Sequence, residues 1–385
     1  MSIATQLTGE RMKKILGLIL SSGLALTGCT PDTGFVAAPS LSQSNSPNGP
    51  GGNPGVKFVD QFTVPAAGSN AKIDVLFVVD NSGSMAEEQT IIGNSFSSFI
   101  SQFTQQNADF HLGVITTDVD SSPSKYISSL AGFVNPTGPG NLLTRYAGEP
   151  YLVNSTPNLL SKFPMNAKVG TTGSGREQGL NSLGYFLEPS KLAAGGANAG
   201  FIREDALLSV IFVTDEDESE AVASGETIDG RIGRIVNRIN VVKGSASRGF
   251  RFDFIISSSA VKPAGYPAPS DPIPLVMSGT NPYPGVYRRA AELTGSQIVN
   301  IATNFAPDLA NLGGSIVTQG QSEFKLSAKP LASSLVVVLD GIAVPADAAN
   351  GYVLHAERNT IELKGAALAR APGKVLNVDY SISVL

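Results

Sequence analysis

Residues 73–80, Ile-Asp-Val-Leu-Phe-Val-Val-Asp, form an almost unbroken apolar run rich in β-branched side chains. That pattern predicts a strand buried on both faces of a parallel sheet. A Ser- and Gly-rich turn follows. Residues 87–106 then place Ile91, Ile92, Phe96, Phe99, Ile100 and Phe103 at helical spacing, and 110–117 turn apolar again. The alternation continues with helices at 177–187 and 228–242, strands at 207–214 and 250–257, a helix at 287–293, a strand at 297–302 and a final helix at 307–317. Such an order predicts an α/β fold over residues 71–319, a doubly wound and mostly parallel sheet.

After Gln319 the period shortens. Phe324-Lys-Leu, residues 334–341, Gly351-Tyr-Val-Leu, Thr360-Ile-Glu-Leu and residues 375–382 read as short strands, with turn signals at Asp340-Gly341 and Arg358-Asn359. They predict a small antiparallel β-sandwich over 320–385, too small to be robust alone and therefore docked on the main domain. At the other end, Arg11, Lys13 and Lys14 precede an apolar run, 15–26, too short to cross a bilayer comfortably. It reads as a signal peptide over 1–29, with Met12 an alternative start. Residues 30–70 are dominated by Ser, Pro, Gly and Asn and read as a disordered tether.

Composition narrows the chemistry. The 385 residues carry 27 Lys and Arg against 32 Asp and Glu, a net charge of -5, so no basic field favours nucleic acid. The one cysteine, Cys29, excludes an intrachain disulfide and a Cys-rich zinc site, and His111 and His355 are the only imidazoles. Any metal must be held by oxygen. G-x-S-x-G, Walker and H-E-x-x-H motifs are all missing, and neither histidine has a supporting motif, so no enzyme is expected.

Leu26-Thr27-Gly28-Cys29 resembles a bacterial lipobox. The resemblance implies cleavage before Cys29 and acylation there, which would anchor the chain in a membrane. Thr30 rather than Asp after the cysteine implies outer-membrane sorting in a host with two membranes, facing either the periplasm or the outside.

Asp80-Asn81-Ser82-Gly83-Ser84 lies at the carboxyl end of the first predicted strand, where open α/β sheets place ligands. A tight turn there can aim one carboxylate and two hydroxyls at a common centre, with Gly83 letting the backbone close. The pattern D-x-S-x-S resembles the metal-ion-dependent adhesion site of von Willebrand factor A domains. That resemblance implies a metal held by Asp80, Ser82 and Ser84, by Thr171 or Thr172 from the loop 170–175, and by Asp215 at the end of Ile211-Phe-Val-Thr-Asp215. Ser174 has the alternative role of capping a helix. Mg²⁺ or Mn²⁺ suits such oxygen donors better than Ca²⁺. The resemblance further implies a partner, protein or surface ligand, that offers an Asp or Glu to the ion, and a last helix that moves with it.

Two features depart from the family pattern. Asp215 is followed by Glu216-Asp217-Glu218 rather than glycine, read as a solvated acidic loop or helix start, with a second ion site the alternative. A long segment, 119–169, precedes the threonine loop, and its Tyr126, Phe133, Tyr146 and Tyr151 either cover the sheet edge or meet a partner. The expectation is thus a lipid-anchored cell-envelope binding or adhesion protein, the alternative being a structural scaffold whose fold is independent of metal.

Overall fold

The computed structural model describes residues 57–66, 70–119, 138–143, 149–219, 225–244, 248–273, 283–356 and 359–382. The expected signal peptide, Cys29, most of the tether, Tyr126, Phe133 and Tyr146 lie outside the described residues. Strand β1 (Lys57–Thr63) comes first, within what the composition marks as tether. Phe58, Asp60 and Phe62 alternate with exposed Lys57, Val59 and Gln61 there, and the whole strand pairs antiparallel with the last strand of the chain. A local Gly and Pro density hid a period-2 pattern that only its distant partner makes useful.

The main sheet contains β2 (Lys72–Val79), β3 (Asp109–Thr116), β4 (Leu152–Val153), β5 (Leu207–Val213), β6 (Phe250–Ile256) and β7 (Ile298–Asn300), in the order β4-β3-β2-β5-β6-β7. All neighbours are parallel except β4, which runs antiparallel at the edge. The first helix, α1 (Ala86–Gln105), carries Glu87 and Glu88 in its first turn, where they complement the helix dipole. With α2 (Leu159–Ala167) and α7 (Ala306–Ser322) it covers one face, packing Phe96, Phe99, Phe163 and Leu312 on Val75, Phe77 and Val79. Helices α3 (Gly179–Phe186), α5 (Ile228–Lys243) and α6 (Gly285–Thr294) cover the other, with Leu183, Ile235 and Ala290 against Leu76 and Val78. Alternate residues of β2 therefore face two separate cores, which explains its continuous apolar run; each such buried side chain contributes about 1.5–3 kcal/mol. The expected mixed α/β architecture holds, with elements shifted by a few residues at their ends.

Within 119–169 the structure adds β4 and α2, whose short apolar runs sit among turn residues. Tyr151 covers the sheet edge: its ring stacks on His111 at 4.5 Å and its hydroxyl donates to the Gly200 carbonyl at 3.1 Å. A short helix, α4 (Pro189–Leu192), follows α3.

The C-terminal lobe has two antiparallel sheets, as expected. One has the order β1-β13-β9-β10, from β9 (Val336–Leu339), β10 (Ile342–Val344) and β13 (Val375–Ser381). The other is β11-β12-β8, from β8 (Glu323–Lys325), β11 (Tyr352–His355) and β12 (Thr360–Leu363). Phe324, Leu339, Ile361, Leu376 and Val378 fill the space between them. Asp340 and Gly341 turn β9 into β10 with φ of 52° and 79°, and a short helix α8 (Gly365–Ala369) closes one end. The lobe is therefore not confined to 320–385, because β1 completes its larger sheet. It docks on the main domain where α7 runs directly into β8 and the Arg248 guanidinium lies 4.5 Å from the centre of the Phe324 ring. Among the described residues no helix is long and apolar enough to cross a membrane.

Candidate functional site

The strand order reverses between β2 and β5, so their carboxyl ends open a crevice of the kind that binds ligands in such sheets. Asp80 follows β2 and Asp215 follows β5, which brings the two motifs together. The Asp80 carboxylate is fully buried; it accepts from the Ser82 backbone N–H at 2.7 Å and from the Thr214 hydroxyl at 2.8 Å. The Ser82 and Ser84 hydroxyls lie 3.1 Å apart, and Ser84 donates to Asp215 Oδ1 at 3.1 Å. Asp80, Ser82, Ser84 and Asp215 thus form one connected polar cluster. Gly83 is exposed, with an ordinary φ and open space where a Cβ would stand, so the turn does not depend on glycine at that position.

The loop 170–175 reaches the same crevice. Gln89 of α1 clasps it with both ends of its amide, donating to the carbonyls of Asp80 (2.9 Å) and Gly170 (2.8 Å) and accepting from Gly170 N–H (3.1 Å). The Gly173 N–H donates to the Asn81 carbonyl at 2.9 Å, and a Cβ on Gly173 would stand 2.3 Å from the Asn81 side chain. That close approach requires glycine. Ser174 N–H donates to Asp118, and the Ser174 hydroxyl accepts from Arg176 N–H at 3.2 Å, a local turn ahead of α3. The loop's anchoring bonds come from these residues, while Thr171 is half-buried and Thr172 exposed.

Sequence reading missed several residues of the site. Thr214 was only the penultimate letter of the Thr-Asp strand end, and Gln89 lies one helical turn beyond the D-x-S-x-S turn. Glu177 is fully buried, with its carboxyl against that of Glu216. Burial pushes its carboxyl well above the usual range, and the neighbouring charges of Asp80 and Glu216 act in the same direction. Burial likewise raises Asp80 to about 6, against the opposing bonds from Ser82 and Thr214, and raises Glu216 above its usual range. The run after Asp215 is not the solvated acidic loop the sequence suggests. Asp217 and Glu218 are 3% and 0% exposed. His111 and His355 lie elsewhere, bonded to the Phe201 carbonyl (2.8 Å) and to Glu362 (2.9 Å).

Among the described residues, no group of three or more His, Cys, Asp or Glu side chains is arranged to hold a metal ion. The donors at this turn are instead mixed, two carboxylates with serine hydroxyls. Asp80, Glu177, Asp215 and Glu216 converge there, and among the described residues none forms an ion pair with Lys or Arg. Buried carboxylates without a compensating charge are costly, so a hard cation suits the donor set.

No protein-family model matches the chain. No curated protein matches it either. Among solved structures it is similar to the pilus adhesin SpaC from Lactobacillus rhamnosus GG in its open conformation, with 11% identity and a TM-score of 0.38, over 89% of this chain and 42% of that one. A second structure of the adhesin gives 12% identity and a TM-score of 0.37 over the same shares. Proximal thread matrix protein 1 from the mussel byssus gives 12% and 0.34, over 73% of this chain and 50% of that one. The chain therefore spans less than half the length of the adhesin, and likenesses this remote carry no argument about what it does.

Proposed function

We propose that the chain is a lipid-anchored cell-envelope protein with a von Willebrand A-type domain, which binds an acidic group of a partner through a divalent metal. The observation that carries this reading is the meeting of two distant motifs across the crevice: Thr214 bonds Asp80 while Ser84 bonds Asp215. Asp80, Ser82, Ser84 and Asp215 would hold the ion, with an oxygen from the loop 170–175, Thr171 or Thr172, completing the set. A bound Mg²⁺ or Mn²⁺ supplies an incompletely neutralised positive centre with room for a partner's carboxylate. The protein's part is to hold the hydroxyls and acids in place, and Gln89 does so by fixing the loop 170–175 to the Asp80 backbone. The lipobox-like Cys29 supports attachment to an outer membrane. None of the motifs read in the sequence supports an enzymatic role.

The test is calorimetric titration of Mg²⁺ and Mn²⁺ into the metal-free protein and into Asp80→Ala, followed by a partner search with chelator as control. Binding by the parent and none by the variant is the expected result. A second reading is favoured by the satisfied hydroxyl network itself, since Ser82, Ser84 and Thr214 have partners without any ion. In that reading the domain is a scaffold of an envelope complex, and Asp80→Ala leaves partner binding intact.

A further inference from the structure

Asp217 and Glu218 are buried, and their bonds run to the start of α3, to α6 and to the connection between β6 and α6. Glu218 Oε2 accepts from Leu180 N–H at 2.7 Å and from the Tyr287 hydroxyl at 3.0 Å, while that hydroxyl accepts from Gly179 N–H at 3.1 Å. Glu218 and Tyr287 together thus satisfy the first free amides of α3, the helix that the loop 170–178 leads into. Next to them, the Ser219 N–H and hydroxyl both donate to the Glu177 carbonyl, at 2.7 and 2.9 Å. Asp217 reaches the other way, accepting from Val286 N–H at 3.0 Å at the start of α6 and from the hydroxyl of Tyr266 in the connection between β6 and α6. Asp215 itself is half-buried and accepts from Ser84, so its direction depends on the residues that follow it.

We propose that Asp217 and Glu218 are positioning residues: they clamp the Asp215 loop to the start of α3, into which the loop 170–178 leads, and to α6, so that both loops present their oxygens to one point. The inference rests on the metal-site reading above. It assigns a role to the segment where this sequence departs from the family pattern. The bonds come from Asp217 and Glu218, the second and third residues after Asp215. The clamp also ties the crevice to the connection between β6 and α6, whose Val261 and Lys262 are exposed.

The test titrates Mn²⁺ into the metal-free full chain and into Glu218→Gln, Asp217→Asn, Tyr287→Phe and Tyr266→Phe. The electron paramagnetic resonance line shape of bound Mn²⁺ and the metal-free melting temperature are read alongside. The tyrosine variants remove a hydroxyl and no charge, which separates positioning from a simple electrostatic field. Groups that orient metal ligands typically cost about 10–100-fold in affinity when lost. The expected result is a loss of about tenfold or more for the Gln and Asn variants and of about threefold for each Phe variant. A broadened Mn²⁺ line should accompany each loss, and Glu218→Gln with Tyr287→Phe should lose less than the sum of the two. Wild-type affinity in both Phe variants, with loss only in Gln and Asn, overturns the clamp in favour of charge alone. Unchanged affinity in all four, whatever the melting temperature does, overturns it as well. A parent chain that binds no Mn²⁺ overturns the metal reading and the clamp's purpose with it.

Discussion

Strand β2 carries a buried aspartate near its start, and a second follows its end; both have 0% exposure and they meet opposite company. Asp74 accepts two bonds from Arg203, from its N–H at 2.6 Å and its Nε at 2.8 Å, and Lys243 and His111 lie close by. Asp80 meets a backbone N–H, a threonine hydroxyl and other acids. Burial raises both carboxyls above their usual range, but Arg203 opposes it at Asp74, whereas at Asp80 the charge of Asp215 adds to it. One end of the strand is a finished ion pair that secures the fold. The other is a cluster of acids without a basic partner among the described residues, relieved by protonation in the metal-free chain and by the cation in the function proposed above.

The largest effect that would sharpen this contrast is on stability. Asp74→Ala strands the mostly buried Arg203 and should cost about 3 kcal/mol in urea unfolding, the lower end for breaking a buried pair because Asp109 still holds the guanidinium. Asp80→Asn in metal-free protein near pH 8 should instead gain stability, by about 2 kcal/mol, since ionising this buried acid is unfavourable in the fold. Losses of equal size at both positions would break the comparison.

The pH dependence comes next. Asp80 is raised to about 6 and Asp217 to about 7. The folded state then holds more protons than the unfolded state between the ordinary carboxylate range and these values. Their contribution is complete below about pH 4 and is lost as pH rises through about 6 and about 7. Melting temperatures with chelator, read as the difference between parent and Asp80→Asn, should show the parent losing ground over that window. Saturating Mg²⁺ should flatten the loss, because it favours the ionised carboxylate. A difference that widens as pH falls would reverse the sign and refute the argument. The smallest effect belongs to Thr214→Val, which removes the hydroxyl donor to Asp80 and should cost about 1 kcal/mol of metal-free stability by urea titration.

Much of this was legible in the sequence. The apolar run before Asp80 follows from burial on both sides, and the helices on either side of the sheet announced themselves by the spacing of residues such as Phe96, Phe99 and Phe103. Where the sequence misled, partners distant along the chain were responsible. Strand β1 reads as tether until β13 pairs with it, and Asp217 and Glu218 read as solvent-facing until Tyr266, Val286 and Leu180 are brought to them. Glu177 looked like an ordinary residue at a helix start, and its burial beside Asp80 has no local signature.

By itself the sequence determined most strands and helices of the main sheet and its covering layers, and which residue types stand at their ends, because period and turn chemistry are local properties. It also fixed the donor types available to a metal, since two histidines and one cysteine leave only oxygen. The tertiary structure alone decided which acids are neutralised and which are left uncompensated. Burial and the distance to an opposite charge are properties of the assembled fold, and they separate Asp74 from Asp80 although the two stand only six positions apart in one chain segment.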